Sequence, residues 1–319
     1  MRVLITGGAG FIGSHLAERL LEKGDEVYVI DNFSTGKLEN IRHLFSESKF
    51  RLTVGTILDE KTLEPLVEAC EQVYHLAAAV GVRLIIEKPV ETIETNILGT
   101  EIVLKLANIY KRKVLITSTS EVYGKGNHVP FTEEDDRTYG STSKSRWSYA
   151  SSKAVDEFLA KAYFHEKKLP VLIARLFNTI GPRQTGSYGM VVPSFVQQAL
   201  LGHPITVFGN GEQTRSFTYV DDVVSALLEL MEHPRALGEV FNVGSTEEIS
   251  INDLASLVKK LTESQSQIVH IPYEQAFEKG FEDMQRRVPD ITKINKLIGF
   301  KPTISLEEGI RRIIEYYRK

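Results

Sequence analysis

Hydrophobic positions along this chain follow two periods. Short β-branched runs at Arg2–Thr6, Glu26–Ile30, Gln72–Leu76 and Lys113–Thr117 read as strands. Between and after them, Ser14–Glu22, Val90–Tyr110 and Tyr149–Glu166 repeat their apolar positions at helical spacing. Strands that alternate with helices predict an α/β fold, with a parallel sheet covered on both faces and apolar strands inside.

Beyond Asn178 the pattern changes to Gly- and Pro-rich loops between shorter elements, as at Gly181-Pro182-Arg183 and Phe208-Gly209-Asn210-Gly211. Ser216–Val224 and Glu239–Gly244 again read as buried strands, so the chain is expected to return to its first sheet. Residues 1–177, with returning strands at about 216–245, are expected to form one domain. Residues 178–215 and 246–319 are expected to form a smaller, loop-rich α/β domain that binds substrate.

Charge and composition narrow the partners. With 38 basic against 42 acidic residues in 319, the net charge of -4 gives no electrostatic reason to expect a nucleic-acid backbone or an acidic membrane. The single cysteine, Cys70, cannot form an internal disulfide and suits a reducing compartment. No leader-like segment precedes the first strand, and no apolar run reaches the roughly 18 residues of a spanning helix. A soluble, cytoplasmic protein is expected. The eight histidines show neither an HxxxH pair nor a Cys/His cluster, so no metal site is expected.

Chemistry enters at the end of the first strand. Gly7-Gly8-Ala9-Gly10-Phe11-Ile12-Gly13 lies between strand and helix, where glycines permit a tight turn and close approach of a pyrophosphate to a helix N-terminus. Gly7, Gly10, Phe11, Ile12 and Gly13 are therefore candidate cofactor contacts, and the sheet is expected to be a Rossmann-type doubly wound one. Asp31, followed by Asn32, closes the second strand 18 residues beyond Gly13. A carboxylate there binds the adenine-ribose hydroxyls and repels a 2′-phosphate, which favours NAD over NADP.

Tyr149 and Lys153 stand four apart on one helix face. A lysine ammonium beside a phenol, with the nicotinamide charge nearby, favours phenolate and lowers a pKa that starts near 10 toward working pH. Tyr149 is thus a candidate general base for a substrate hydroxyl, and Thr119 is placed to hydrogen-bond the same oxygen.

Together with His75-Leu76-Ala77-Ala78, Arg175-Leu176-Phe177-Asn178 and Gln213 to Asp222, these motifs mark a resemblance that runs over essentially the whole length. The chain resembles the extended short-chain dehydrogenase/reductase superfamily, in particular its nucleotide-sugar epimerases, dehydratases and decarboxylases. The resemblance adds Ala77 and Asn96 to the NAD site, although Thr56 stands where relatives usually place an adenine-contacting Asp. It also implies that Asn178, Val192 and Arg215 bind the sugar nucleotide and that Phe208 packs on its base.

Members of this group differ beside the shared Tyr and Lys. Thr119-Ser120-Glu121 is similar to the UDP-glucuronate decarboxylases, whereas 4,6-dehydratases look for Asp-Glu after the Thr and 4-epimerases usually carry small residues. Arg146 matches the decarboxylases as well, and Gly280 to Asp290 resembles the late segment from which Arg287 and Asp283 reach their substrate. The resemblance therefore implies decarboxylation of UDP-glucuronate to a UDP-pentose through a transient 4-keto sugar. Arg146 would clamp the carboxylate, and Glu121 would position the sugar or assist proton return to C5. A UDP-sugar 4-epimerase or a sugar-nucleotide 4,6-dehydratase is the alternative reading. A nonenzymatic NAD-sensing relative would be expected to have lost Thr119, Tyr149 or Lys153. A homodimer, formed through the helices at about 90–110 and 149–166, is expected by the same resemblance.

Overall fold

A computed structural model describes the chain from residue 1 to 318, apart from 82–84, 86, 127, 187–188 and 277–283. Seven strands build its central sheet: β1 (Arg2–Thr6), β2 (Glu26–Asp31), β3 (Phe50–Val54), β4 (Gln72–His75), β5 (Lys113–Thr119), β6 (Val171–Leu176) and β7 (Val240–Val243). Every pairing is parallel, in the order β7-β6-β5-β4-β1-β2-β3. The succession runs outward from β1 through β2 to β3, then restarts at β4 on the other side. The strand order thus reverses beside β1, and that switch point opens a crevice at the carboxyl ends of the strands.

Helices cover both faces, because the strands are apolar on both. α1 (Phe11–Glu22) and α6 (Val220–Glu232) pack Leu16, Leu20, Val223, Leu227 and Met231 onto one face. α2 (Glu60–Ala69), α3 (Pro89–Tyr110) and α4 (Arg146–Lys167) bring Leu63, Val67, Val103, Leu104 and Ala160 to the other. A separate apolar cluster joins α5 (Val191–Leu200), α7 (Ile251–Thr262) and α8 (Leu306–Arg318), through Phe195, Val196, Leu254, Val258 and Ile313.

The expected strand over Ser216–Val224 is corrected. Only Thr214–Ser216 and Thr218–Tyr219 are extended, and neither joins the central sheet. From Val220 the chain is helical, because Asp221 and Asp222 sit favourably in a helix's first turn and Val220, Val223, Val224 and Leu227 repeat at helical spacing. The other expected return does reach the sheet: β7 lies against β6 as its edge strand. Among the described residues no helix is long and apolar enough to cross a membrane.

Candidate active site

A cavity of about 1000 Å³ follows the switch point. At one end lies the turn from β1 into α1. Gly7 has φ +73°, and a side chain there would bring its Cβ to 2.8 Å from the Ala77 nitrogen. A Cβ on Gly13 would come within 2.3 Å of the Gly7 carbonyl. Only glycine fits either place. No side chain caps α1 at Gly10, so the helix terminus faces the cavity with backbone alone, as anion-binding helix ends do.

Asp31 and Asn32 line the same end. The Asp31 carboxylate accepts from the Ala9 N–H at 2.9 Å and the Phe33 N–H at 2.8 Å, which fixes it against the turn. Burial pushes its carboxyl above the usual range, and those two donors hold part of that rise back. Asn40, which the motif reading passed over, donates to the Ala9 carbonyl at 2.8 Å and ties a short helical turn onto the loop.

Thr119 ends β5 and Tyr149 projects from the first turns of α4, and the Thr119 side chain lies near enough to the phenol to stabilise its anion. Both line the cavity beside Ser120 and Lys153. The protein's own groups act against the expected lowering of the phenol, which draws on the nicotinamide charge as well as on Lys153. Burial, and next the Glu121 charge, push the Tyr149 phenol above its ordinary value; Thr119 opposes them. The Lys153 ammonium instead meets Asp156 at 2.8 Å, because Asp156 follows it one turn later on the same buried face.

Farther along the cavity the wall becomes cationic. Glu121, in the turn after β5, bonds Arg287 at 2.5 Å and Arg146 at 3.4 Å, and Arg215 adds its charge from farther off. Burial works against the Glu121 charge, yet the arginines prevail and hold its carboxyl at about 2. The Arg146 guanidinium also lies 5.5 Å from the Trp147 ring centre, so the cation–π contact and the cavity-facing ion pair coexist. Arg287 further donates to the Asn178 side-chain oxygen, while Asn178 donates to the Ser216 carbonyl at 2.8 Å.

At the far end stand Val192, Phe208 and Arg215. Tyr273 joins them, a residue no local motif signals, because a parallel pairing of Ile268–Ile271 with Ile205–Phe208 delivers it. Its hydroxyl meets Gln213 at 3.0 Å, and Gln213 donates to the Phe208 carbonyl at 3.2 Å.

The cavity thus gathers Gly7, Gly10, Phe11, Ile12, Gly13, Asp31, Asn32, Ala77, Thr119, Ser120, Glu121, Tyr149 and Lys153 with the substrate candidates just placed. Asn96 is the exception. It lies behind the wall, accepting from the Ala79 N–H at 2.9 Å and donating to Ser152 at 3.2 Å, so its amide is spent on holding backbone and helix together. Asp283 lies outside the described residues.

The family model described as GDP-mannose 4,6 dehydratase matches residues 4–313. The chain belongs to that family. It is 46% identical over its full length to the UDP-N-acetyl-alpha-D-glucosaminuronate decarboxylase of Bacillus cytotoxicus, covering 98% of that protein. It is 40% identical to UDP-glucuronic acid decarboxylase 1 of Xenopus tropicalis, again over 100% of this chain and 72% of the relative. The UDP-glucuronic acid 4-epimerase of Bacillus cereus, solved with UDP-glucuronic acid and NAD, superposes with a TM-score of 0.90 at 32% identity and covers 100% of this chain and 99% of its own. The protein is accordingly an enzyme of the extended short-chain dehydrogenase type, and its seven-stranded parallel sheet is the Rossmann-type one expected.

Proposed function

We propose that this enzyme decarboxylates a UDP-hexuronic acid with NAD as its resident cofactor. One observation carries the reading: two arginines converge on one carboxylate, that of Glu121, beside the Tyr149 and Thr119 hydroxyls. Two guanidinium groups already spaced about one carboxylate offer a second carboxylate, that of an acidic sugar, charge-assisted forks beside the reacting hydroxyls.

The residues at the switch point fit NAD. The cradle that a Cβ on Gly7 or Gly13 would fill leaves backbone free to approach a pyrophosphate, and Asp31 stands where a 2′-phosphate would be repelled. Gly10, Phe11, Ile12, Asn32 and Ala77 would complete that contact. Bound NAD supplies the hydride acceptor for sugar C4, the later donor, and a positively charged ring.

The side chains supply the rest. Tyr149, with Thr119 on the same oxygen, takes the proton of the 4-hydroxyl and returns it when the ketone is reduced. A ketone at C4 makes the uronate a β-keto acid: the bond from C5 to the carboxyl carbon breaks, CO2 leaves, and its electron pair passes to the C4 oxygen as an enolate; a proton from water then adds at C5 and restores the C4 ketone for reduction. That oxygen lies between Tyr149 and Thr119, whose hydroxyls stabilise it. Arg146 and Arg287 hold the departing carboxylate, and Glu121, ionised between them, fixes their spacing. Asn178, Arg215, Val192 and Phe208, with Asp283 by resemblance, would bind the nucleotide.

Two acids fit this chemistry, UDP-glucuronate and its 2-acetamido counterpart, and the 46% relative favours testing the second beside the first. Incubation of the enzyme with NAD and each acid, followed by mass spectrometry and NMR, is the test. Loss of the mass of CO2 from either supports the reading. Unchanged mass with inverted C4 would make it an epimerase, in keeping with its likeness to the Bacillus cereus enzyme.

We also infer a homodimer. α3 and α4 pack together and leave Val90, Ile93, Leu98 and Phe158 exposed, an apolar face suited to the same face of a second copy. Light scattering that finds a monomer at micromolar concentration would count against it.

A further inference from the structure

Tyr149, Lys153 and Asp156 follow one another at spacings of four and three on α4, so all face the same way. Lys153 and Asp156 form an ion pair of 2.8 Å with side chains only 3% and 0% exposed. Nothing in the proposed chemistry uses this carboxylate, and a buried charge is costly unless it holds something in place.

Asp156 is also the end of a chain of buried polar groups. The Thr100 hydroxyl, on α3, approaches its carboxylate closely enough to stabilise the charge, yet leaves Oδ1 short of a full hydrogen bond. Thr100 lies 3.0 Å from His75 Nε2, and His75 Nδ1 lies 2.8 Å from Thr6 Oγ1. Thr6 in turn accepts from the Ala77 N–H at 3.2 Å. His75 is neutral, held at about 3 by burial and by the Lys153 charge, so one of its nitrogens donates and the other accepts. Thr6 can then donate to Nδ1 and Nε2–H to Thr100, which leaves the Thr100 hydroxyl proton to turn toward Asp156. All donors point toward the carboxylate, which is how such a chain stabilises an anion.

We propose that Asp156 is a positioning residue that anchors the Lys153 ammonium and sets how much of its charge reaches Tyr149. Through Thr100, His75 and Thr6 it also ties that lysine to the end of β1, where the glycine turn begins. The charged and titratable groups around Lys153 are Asp156 and Tyr149 on its own helix and His75 from β4, while Glu121, from the turn after β5, acts on Tyr149. Glu157, which adds its charge beside Asp156, is neutralised by Arg175 and Arg137.

The inference rests on reading Tyr149 and Lys153 as the proton-transfer pair, but its test does not need turnover. Competitive acetylation of the whole protein with acetic anhydride at one pH, read by mass spectrometry of the peptide carrying Lys153, reports how available that amine is. In Asp156→Asn, with the opposite charge at contact removed, Lys153 should be acetylated several-fold faster. The low-pH limb of kcat should move to lower pH, because an unshared ammonium favours the Tyr149 phenolate. An unchanged rate in a folded Asp156→Asn protein overturns the proposal. If that variant does not fold, Thr100→Val decides: it keeps both charges and removes the other donor, so acetylation of Lys153 should slow, and no slowing overturns the proposal. A changed acetylation rate in an enzyme inactive on both hexuronates would uphold Asp156 and overturn the decarboxylase reading alone.

Discussion

The two ends of the cavity are made differently. Around β1 and α1 the wall is backbone from one short run of sequence, shaped by glycines whose missing Cβ atoms leave the space. Around Glu121 it is made of side chains from Arg146, Asn178, Arg215 and Arg287, brought together from distant parts of the chain. The first end is rigid because changing its shape means moving packed backbone. The second is held by charge, so its specificity can be altered one residue at a time without disturbing the fold.

Substitutions at the two ends should therefore fail in different ways. The broadest effect, on stability and NAD affinity together, is expected from Gly13→Ala. Its Cβ would lie 2.3 Å from the Gly7 carbonyl, so the turn must deform, at a cost of about 1–3 kcal/mol in stability. Calorimetry should find NAD affinity lost along with a lowered Tm. Retention of wild-type NAD affinity would show that the turn is not the rigid element described here.

Arg287→Met should leave NAD affinity near wild type, while Tm falls because the buried Glu121 carboxylate loses its nearest cation. Removing one partner of a buried charge pair costs roughly 2–5 kcal/mol, so kcat/KM on the hexuronate should fall on the order of a hundredfold or more. If NAD affinity collapsed as well, the two ends would be one structural unit and the contrast would fail.

The same division explains what the sequence revealed. The glycine turn, Asp31, and the Tyr149 and Lys153 pair are local patterns, each legible from spacing along one strand or helix. The alternation of periods was enough for the sheet and its covering helices. At Val220 a run of apolar β-branched residues does not distinguish a buried strand from a buried helix, and the two acids at its start decide for the helix. Asn96 was placed in the cavity by resemblance, but its amide turns to the Ala79 backbone. Tyr273 and the role of Asp156 depend on tertiary contacts between strands and helices far apart in sequence, and no spacing rule reaches them.

Acid offers the finest separation of the two ends. His75, under the glycine turn, accepts a proton near 6.5 when unfolded but only at about 3 when folded. Between those values the unfolded chain binds more protons, so the stability this residue contributes is complete above 6.5 and is lost as pH falls toward 3. Glu121, at about 2 folded against 4.5 unfolded, contributes fully above 4.5 and loses its part only as pH falls toward 2. The first destabilisation on acidification should thus arise beneath the cofactor end, while the arginine cluster stays intact. His15, also buried and lowered, adds to the same early slope from α1. His75→Gln keeps a donor and an acceptor for Thr6 and Thr100 but takes up no proton. Thermal unfolding between pH 6.5 and 4.5 should then show a shallower loss, by at most about 1.4 kcal/mol per pH unit. An unaltered slope would mean that acid first opens the molecule elsewhere, and that the polar chain under the turn is not the weaker of the two ends.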